Sequence, residues 1–433
     1  MKIRNFLLAA VGLLMLASCQ TQNTETLMDI LQGKPKKESQ WGKLDDNFPN
    51  NVGNTFNNDP KTTRIISWQS KSETGEVIMG NDTKVSASIK NGDWYFHHVN
   101  LDNLVPGKTY SYIVGSGGKY SPIYTFKTEN DNLPNGFSII HVTDPQIGTS
   151  NNPDTGKSDE VTDAGAWKRV IEAALTTCPD AAFIVNTGDV VNTGSSATVP
   201  REDRIPYYFD YAQKSIANNA FIYALGNNDT LDWFGKYFYA NDNQNVDTSG
   251  VLYSFNYGSA HFISINEVFS SSNDDDDSEK GLSYGSGSQM AWLEDDLKAA
   301  SEDQSIKSIV VMTHQPDFGK KTPENADTDL AKLFEKYNVN LVLAGHYHFY
   351  MRSKSILATG DEVTDGTGTV WFIPNASGSK LNDVPAAVRD YWERAEQPGL
   401  PMFTQLDFTQ TGIRLRAYTV DSGNADLFED VQL

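Results

Sequence analysis

Residues 340–348 read Asn-Leu-Val-Leu-Ala-Gly-His-Tyr-His. An apolar run of strand length stops at a glycine, and two histidines come after it, one residue apart. Four other runs end in the same way. Phe137 to Thr143 is followed by Asp144 and Gln146, Ala181 to Thr187 by Gly188 and Asp189, Ala220 to Leu225 by Gly226 and Asn227, and Ser308 to Thr313 by His314. Short continuous apolar runs are the pattern of strands buried on both faces. In open α/β sheets, groups at the carboxyl ends of neighbouring strands converge on one crevice. Five successive runs ending in Asp, Asp, Asn, His and His therefore point to one site rather than to five unrelated turns.

Between these runs the period changes. Trp167, Val170, Ile171, Ala174 and Leu175 fall at helical spacing, as do Leu330, Leu333, Phe334 and Tyr337. Further strands are expected at Val251 to Tyr257, His261 to Asn266, Val370 to Ile373, Phe403 to Phe408 and Ile413 to Tyr418. Strands alternating with helices, some joined as hairpins, predict an α+β domain of helix-covered sheets over residues 131–433. The aspartate-rich run from Asn273 to Asp277 reads as a solvated loop, and loops Asn151 to Asp159, Ser195 to Arg204 and Asn241 to Thr248 are expected to shape the pocket.

The donor types define the chemistry. Oxygen and imidazole ligands without thiolate suit Zn, Mn or Fe and disfavour soft ions. Asp144, Gln146, Asp189, Asn227, His314, His346 and His348 offer too many donors for one tetrahedral ion, but suit two ions bridged by one carboxylate. Two divalent ions outweigh the charge of Asp144 and Asp189, so the site keeps a local positive charge able to attract phosphate. The rest of the chain does the opposite. Its formal net charge is −21, which repels a nucleic-acid backbone and excludes nucleic acid as a scaffold partner. A small phosphorylated substrate fits both facts.

Upstream, residues 59–130 carry only strand signals. Arg64 to Trp68, Val85 to Ile89, Trp94 to Val99, Thr109 to Val114 and Ile123 to Phe126 are separated by turn residues such as Asn91-Gly92-Asp93 and Pro106-Gly107. That spacing predicts a small all-β sandwich. Leu104, Pro106-Gly107 and Thr109-Tyr110-Ser111-Tyr112 resemble the corner and following strand of a fibronectin type III module. His97 and His98 are adjacent in a strand, so one is expected to face the core and the other solvent.

The amino terminus suggests a compartment. Lys2 and Arg4 precede the apolar run Phe6 to Leu16, which is too short to span a bilayer and suits a secretory signal. Its end, Leu16-Ala17-Ser18-Cys19, resembles a bacterial lipoprotein cleavage box. The resemblance implies a leader over residues 1–18, lipid attachment at Cys19, a polar tether over 19–58, and an extracytoplasmic, membrane-anchored body in the bacterial cell envelope. Cys178 is then left without an intrachain partner.

Taken in order, Asp144-Pro145-Gln146, Gly188-Asp189-Val190-Val191-Asn192, Gly226-Asn227-Asn228-Asp229, Met312-Thr313-His314-Gln315-Pro316 and Gly345 to Arg352 resemble the calcineurin-like metallophosphoesterases. With the upstream module, the chain is similar to their purple acid phosphatase branch. The resemblance covers residues 61–420 and implies a four-layer αββα catalytic domain. It implies that Asp144, Gln146, Asp189 and His348 hold a first metal, and that Asp189 bridges to a second held by Asn227, His314 and His346. The implied activity is hydrolysis of phosphate monoesters by a metal-bridging hydroxide. A phosphodiesterase acting on nucleotides or lipid headgroups, and a catalytically impaired metal- or ligand-binding lipoprotein, are the alternatives. Gln289, Trp292 and Leu293 fit a family helix, and Arg352 matches a family arginine expected to be structural.

Three positions depart from the family pattern. Gln146 stands where most members have histidine, which weakens that ligand and favours a harder ion. Asn192 replaces the tyrosine that colours the purple enzymes, so no charge-transfer band is expected. Asn228 replaces the histidine that assists the leaving alcohol. An amide cannot deliver a proton as a general acid, so either Asp229 does so or good leaving groups are favoured. His141 and His261 are expected to be satisfied core histidines, with His141 close enough to Asp144 to orient a ligand. Lys320 and Lys321 read as a solvated loop.

Overall fold

The computed structural model describes residues 40–433 except 47, 57, 194–199, 239–249, 267–282, 285–286, 320–327 and 388. The leader, Cys19, the acidic run 273–277, Lys320, Lys321 and most of the loops 195–204 and 241–248 lie outside the described residues. Among those described, no helix is long and apolar enough to cross a membrane.

The first domain is a two-sheet sandwich. One sheet orders its strands 50–55, 64–70, 94–101 and 87–91; the other joins 82–85, 75–79, 109–116 and 119–120, with 124–127 also on 109–116. Ile66, Trp68, Val99, Tyr112, Val114 and Phe126 fill the space between them. The Tyr110 hydroxyl accepts the Val105 N–H at 2.8 Å, which pins the corner that precedes its strand.

This domain departs from expectation in two places. Asn50–Thr55 is a fully buried strand, so the tether does not run to residue 58. Two of its amide NH2 groups find acceptors inside: Asn51 Nδ2 donates to Gln69 Oε1 at 2.9 Å, and Asn54 Nδ2 to the Ala217 carbonyl at 3.2 Å. Even Trp41 is docked, edge-on to Tyr211 with ring centroids 4.2 Å apart. The second departure concerns His97 and His98, both of which are buried. They do face opposite ways. His97 stacks on Trp68 at 4.9 Å, while His98 bonds the backbone of Lys236 in the second domain. The outer face of this sheet is thus an interface, not a solvent face.

The second domain packs two mixed sheets face to face. The first runs 221–223, 184–186, 137–142, 402–409, 412–421 and 424–432; the second runs 253–257, 260–264, 308–312, 341–343, 370–373, 350–353 and 392–396. Strands 137–142, 184–186 and 221–223 are mutually parallel, as are 260–264, 308–312, 341–343 and 370–373. Side chains alternate across each strand. Ile139, Val185, Ile222, Val310, Met312 and Leu343 fill the layer between the sheets. Their neighbours Ile140 and Ile184 turn outward to the helices Glu160–Thr177 and Ile205–Asn218. Val311 and Val342 turn outward to Gln289–Glu302 and Thr328–Lys336. The result is a helix–sheet–sheet–helix stack in which every central strand is covered on both faces. The parallel strands of both sheets end on one edge, and the site lies there.

Candidate metal centre

Each strand end turns sharply before its functional side chain. Asp144, Gln146, Asp189, His346 and His348 all have positive φ, between 41° and 74°. Non-glycine residues reach this region at a cost of about 1–3 kcal/mol each, and clusters of them mark sites where geometry is imposed by function. Two glycines permit the close approach of these loops. A Cβ on Gly226 would lie 2.0 Å from the Asp189 nitrogen, and one on Gly345 would lie 2.0 Å from Thr143 Oγ1 and 2.6 Å from Asp144 Oδ2.

The seven side chains singled out from the sequence are brought into one cluster. Asp144 and Asp189 are buried with His314 between them, and their ligand atoms lie within 4.8 Å of one another. Asp144 Oδ2 accepts from Thr143 Oγ1 at 2.7 Å and from the His346 N–H at 2.9 Å. Its other oxygen, Oδ1, faces His348 Nε2 at 3.2 Å. His314 Nδ1 donates to the Thr187 carbonyl at 2.7 Å. That bond turns Nε2 inward, to 3.4 Å from Asp189 Oδ1 and 3.0 Å from Asn227 Oδ1. His346 Nδ1 lies 2.8 Å from the same Asn227 oxygen. His348 Nδ1 donates to the Lys380 carbonyl at 2.9 Å, which likewise aims Nε2 at the site. Gln146 Nε2 donates to Asp189 Oδ2 at 3.1 Å.

The electrostatics call for a cation. Burial pushes the Asp144 and Asp189 carboxyls up, but the facing histidines outweigh it and hold both below the usual range. Burial lowers His314, yet Asp189 and Asp144 together push it up to about 10. His346, buried beside His314, falls to about 3. An imidazolium at His314 thus supplies the positive charge that two buried carboxylates need. Two oxygens remain without a hydrogen bond, Asp144 Oδ1 and Gln146 Oε1. Unpartnered buried acceptors beside imidazole nitrogens are what a divalent ion satisfies.

Asn228 and Asp229 are both committed to the Asp189 turn, and Asp229 is not where a general acid would stand. The Asn228 N–H donates to Asp189 Oδ1 at 2.7 Å, its Nδ2 donates to Asp189 Oδ2, and its Oδ1 accepts from the Thr193 N–H at 3.1 Å and from Thr193 Oγ1. Asp229 is bonded to the backbone of the two turns beside the cluster. Its Oδ2 accepts the N–H groups of Asp189 and Gly226 at 2.9 and 2.8 Å, and Oδ1 accepts that of Val190 at 3.0 Å. Burial and Asp189 raise it to about 7, but its oxygens are committed to the backbone. It braces the Asp189 turn and is not placed to protonate a leaving group.

Other residues expected near the site act as supports. Arg352 forks onto Glu429 at 2.9 and 3.1 Å and is structural. Gln289 clasps both backbone groups of Asn266 at 2.7 and 3.0 Å. His261 is held by Asn256 and Asp296 at 2.6 and 2.9 Å. His141 bonds Thr187 Oγ1 at 2.9 Å, next to the carbonyl that orients His314. Sequence reasoning missed the groups behind the ligands: Thr143, the Thr187 and Lys380 carbonyls, and the buried ion pair of Arg204 with Glu160 at 3.1 Å. A backbone carbonyl leaves no mark in a sequence, and the pair joins residues distant in the chain.

Carboxylates, an amide and inward-turned imidazoles at the common edge of two facing sheets define a metallophosphoesterase architecture. Comparisons with known proteins agree. Residues 137–350 match the calcineurin-like phosphoesterase family, and residues 49–128 match the purple acid phosphatase N-terminal domain. Residues 137–350 are thus a calcineurin-like phosphoesterase domain, and residues 49–128 ahead of them a purple acid phosphatase N-terminal domain. An uncharacterised protein of Mycobacterium tuberculosis is 25% identical over 371 residues, 76% of this chain; this chain spans 65% of its length. Human acid phosphatase type 7 is 26% identical, over 70% of this chain and 69% of that protein. Among solved structures, purple acid phosphatase PPD1 from yellow lupin has a TM-score of 0.66 at 15% identity, covering 89% of this chain and 74% of its own. PhoD has a TM-score of 0.54 at 13% identity, covering 90% and 94%. The fold is one that binds a dinuclear metal centre, and the cluster of Asp144, Asp189 and their imidazole neighbours fits it.

Proposed function

We propose that the chain is a dinuclear metal-dependent phosphatase that hydrolyses small phosphate monoesters. The observation that carries this reading is the convergence of seven donor side chains in one cluster, where Gln146 Oε1 has no hydrogen bond and Asp144 Oδ1 faces His348 Nε2 at 3.2 Å. Asp144, Gln146, Asp189 and His348 would hold one ion and Asn227, His314 and His346 the other, with Asp189 shared. When bound, two divalent ions supply a nucleophile at neutral pH and offset charge on the phosphoryl oxygens. The chain's own part is to fix the donors. Thr187 and Lys380 hold the imidazole tautomers, Asp229 holds the Asp189 turn, and Asn228 presents an amide N–H at the edge of Asp189. With Asn192 in place of tyrosine, an iron-loaded chain offers no phenolate there and should lack the purple charge-transfer band. The leader and Cys19 support a lipid-anchored body on the extracytoplasmic side of a bacterial membrane.

The test is metal content and turnover together. The body, loaded with Mn, Fe or Zn, should bind two ions per chain and hydrolyse p-nitrophenyl phosphate faster than its bis-ester. Dominance of the bis-ester would assign it to phosphodiesters. Two bound ions without turnover across a broad panel would make it a binding protein. Labelling with a radioactive fatty acid, lost in Cys19→Ala, tests the anchor.

A further inference from the structure

Asp163 lies in the first turn of the Glu160–Thr177 helix and is completely buried. Among the described residues no lysine, arginine or histidine side chain pairs with it. Its carboxylate instead gathers five donors from two separate loops. Oδ2 accepts three consecutive backbone N–H groups, those of Gly148 and Thr149 at 2.8 Å and of Ser150 at 3.0 Å. Oδ1 accepts the hydroxyls of Ser150 and Ser379, and these hydroxyls lie 2.8 Å from each other.

The two loops carry different parts of the metal centre. Residues 148–150 come just after Gln146, which has a left-handed backbone at φ 41°. Ser379 precedes Lys380, whose carbonyl fixes the His348 ring at 2.9 Å. The second loop also lies hard against the first. The Ser377 N–H donates to the Thr143 carbonyl at 2.7 Å, and a Cβ on Gly378 would meet the Pro145 carbonyl oxygen at 2.2 Å. One buried carboxylate therefore clasps the loop that carries Gln146 to the loop that orients His348. Three backbone N–H groups and two hydroxyls meet on this single side chain, so the clasp is strong for its size. Asn227, His314 and His346 are held by other groups and do not touch it.

We propose that Asp163 is a positioning residue that sets Gln146 and His348 together, and so controls occupancy of the first metal position but not of the second. The proposal rests on the dinuclear reading of the site. It acts where a neutral glutamine binds an ion less firmly than imidazole, so the backbone beneath that ligand must be held especially well. Supporting groups of this kind change metal affinity by about 10–100-fold.

The test uses the full body loaded with Mn²⁺ and measures bound metal per chain, manganese affinity by titration calorimetry, and thermal melting of the metal-free chain. Wild type is expected to bind two ions. Asp163→Ala should bind one, and Asp163→Asn should restore most of the second, because its amide oxygen can still accept the three N–H groups while the serine hydroxyls accept from its NH2. Ser379→Ala removes only the bond to the second loop. It should weaken the looser manganese by about tenfold while the metal-free chain still melts cooperatively, which keeps the idea testable if Asp163→Ala fails to fold. Wild-type affinity at both positions in Asp163→Ala, or in a folded Ser379→Ala, would overturn the proposal alone. Fewer than two ions in wild type would overturn the dinuclear reading, and the proposal with it.

Discussion

Asn228 is folded onto Asp189, its backbone N–H on one carboxylate oxygen at 2.7 Å and its side-chain amide on the other. The next residue, Asp229, spends its carboxylate on three backbone N–H groups. Neither can hand a proton to a departing alcohol. Rates should therefore fall steeply as the leaving group becomes more basic. General acids contribute about 10²–10⁴-fold, so aryl phosphates should exceed alkyl phosphates by at least that lower figure. Asn228→His should narrow the gap by about tenfold or more. A series of phosphate monoesters checks this; equal kcat/KM for aryl and alkyl esters in the wild type would refute it.

Among the described residues, Asp189 is the one carboxylate bonded to both Gln146 and Asn228, and it lies 3.4 Å from His314. Asp189→Asn removes the charge with little change of shape. Bound metal should drop below one ion per chain, and turnover of p-nitrophenyl phosphate should fall by at least about a hundredfold. Elemental analysis beside the activity assay checks both, and unchanged turnover would remove the dinuclear mechanism.

The pH dependence stems from His314, raised from 6.5 to about 10 by its two carboxylates. A group raised in the folded state stabilises the metal-free chain fully below its unfolded pKa and loses that contribution as pH climbs through the folded one. The metal-free protein should therefore lose stability between about pH 6.5 and 10. Metal must displace this proton, because imidazole binds ions through its neutral form. Apparent manganese affinity should rise about tenfold per pH unit in that window. Calorimetric titrations in buffers of different ionisation enthalpy would report the released proton, and none released would contradict the assignment.

The two domains are joined by buried polar contacts. The Tyr112 hydroxyl donates to the Ala217 carbonyl at 2.6 Å, at the end of the Ile205–Asn218 helix. Tyr112→Phe removes this bond, but the carbonyl keeps Asn54 Nδ2 at 3.2 Å. The expected loss is about 1 kcal/mol, measured by urea denaturation, with metal content unchanged. A loss above about 3 kcal/mol would mean the carbonyl had been orphaned.

Much of this architecture is legible from residue order, for a physical reason. A parallel strand covered on both faces must be apolar throughout, so Val370–Ile373 and the five ligand-bearing runs stand out. The residues just past those runs stand out too, because few turns need a histidine or two carboxylates. The elements that escaped obey other rules. Asn50–Thr55 is polar yet buried, since its amides find partners in the neighbouring strand and across the domain interface. Asn424–Gln432 is a half-exposed edge strand whose charged residues hide its pairing. Asp163 sits in Ser158-Asp159-Glu160-Val161-Thr162-Asp163, where it reads as one more acidic residue at a helix start. Only the folded chain brings Ser150 and Ser379 to it.

The strand that delivers Asp144 lies between 184–186 on one side and 402–409 on the other. Ser138 meets Asp407 across 269 positions of sequence. Pairings that distant form late. A chain lacking residues 402–409 therefore leaves one edge of its first catalytic strand unpaired. Truncated products and partly synthesised chains should be unable to load metal. Metal loading would then wait on strand 402–409, a dependence imposed by connectivity alone.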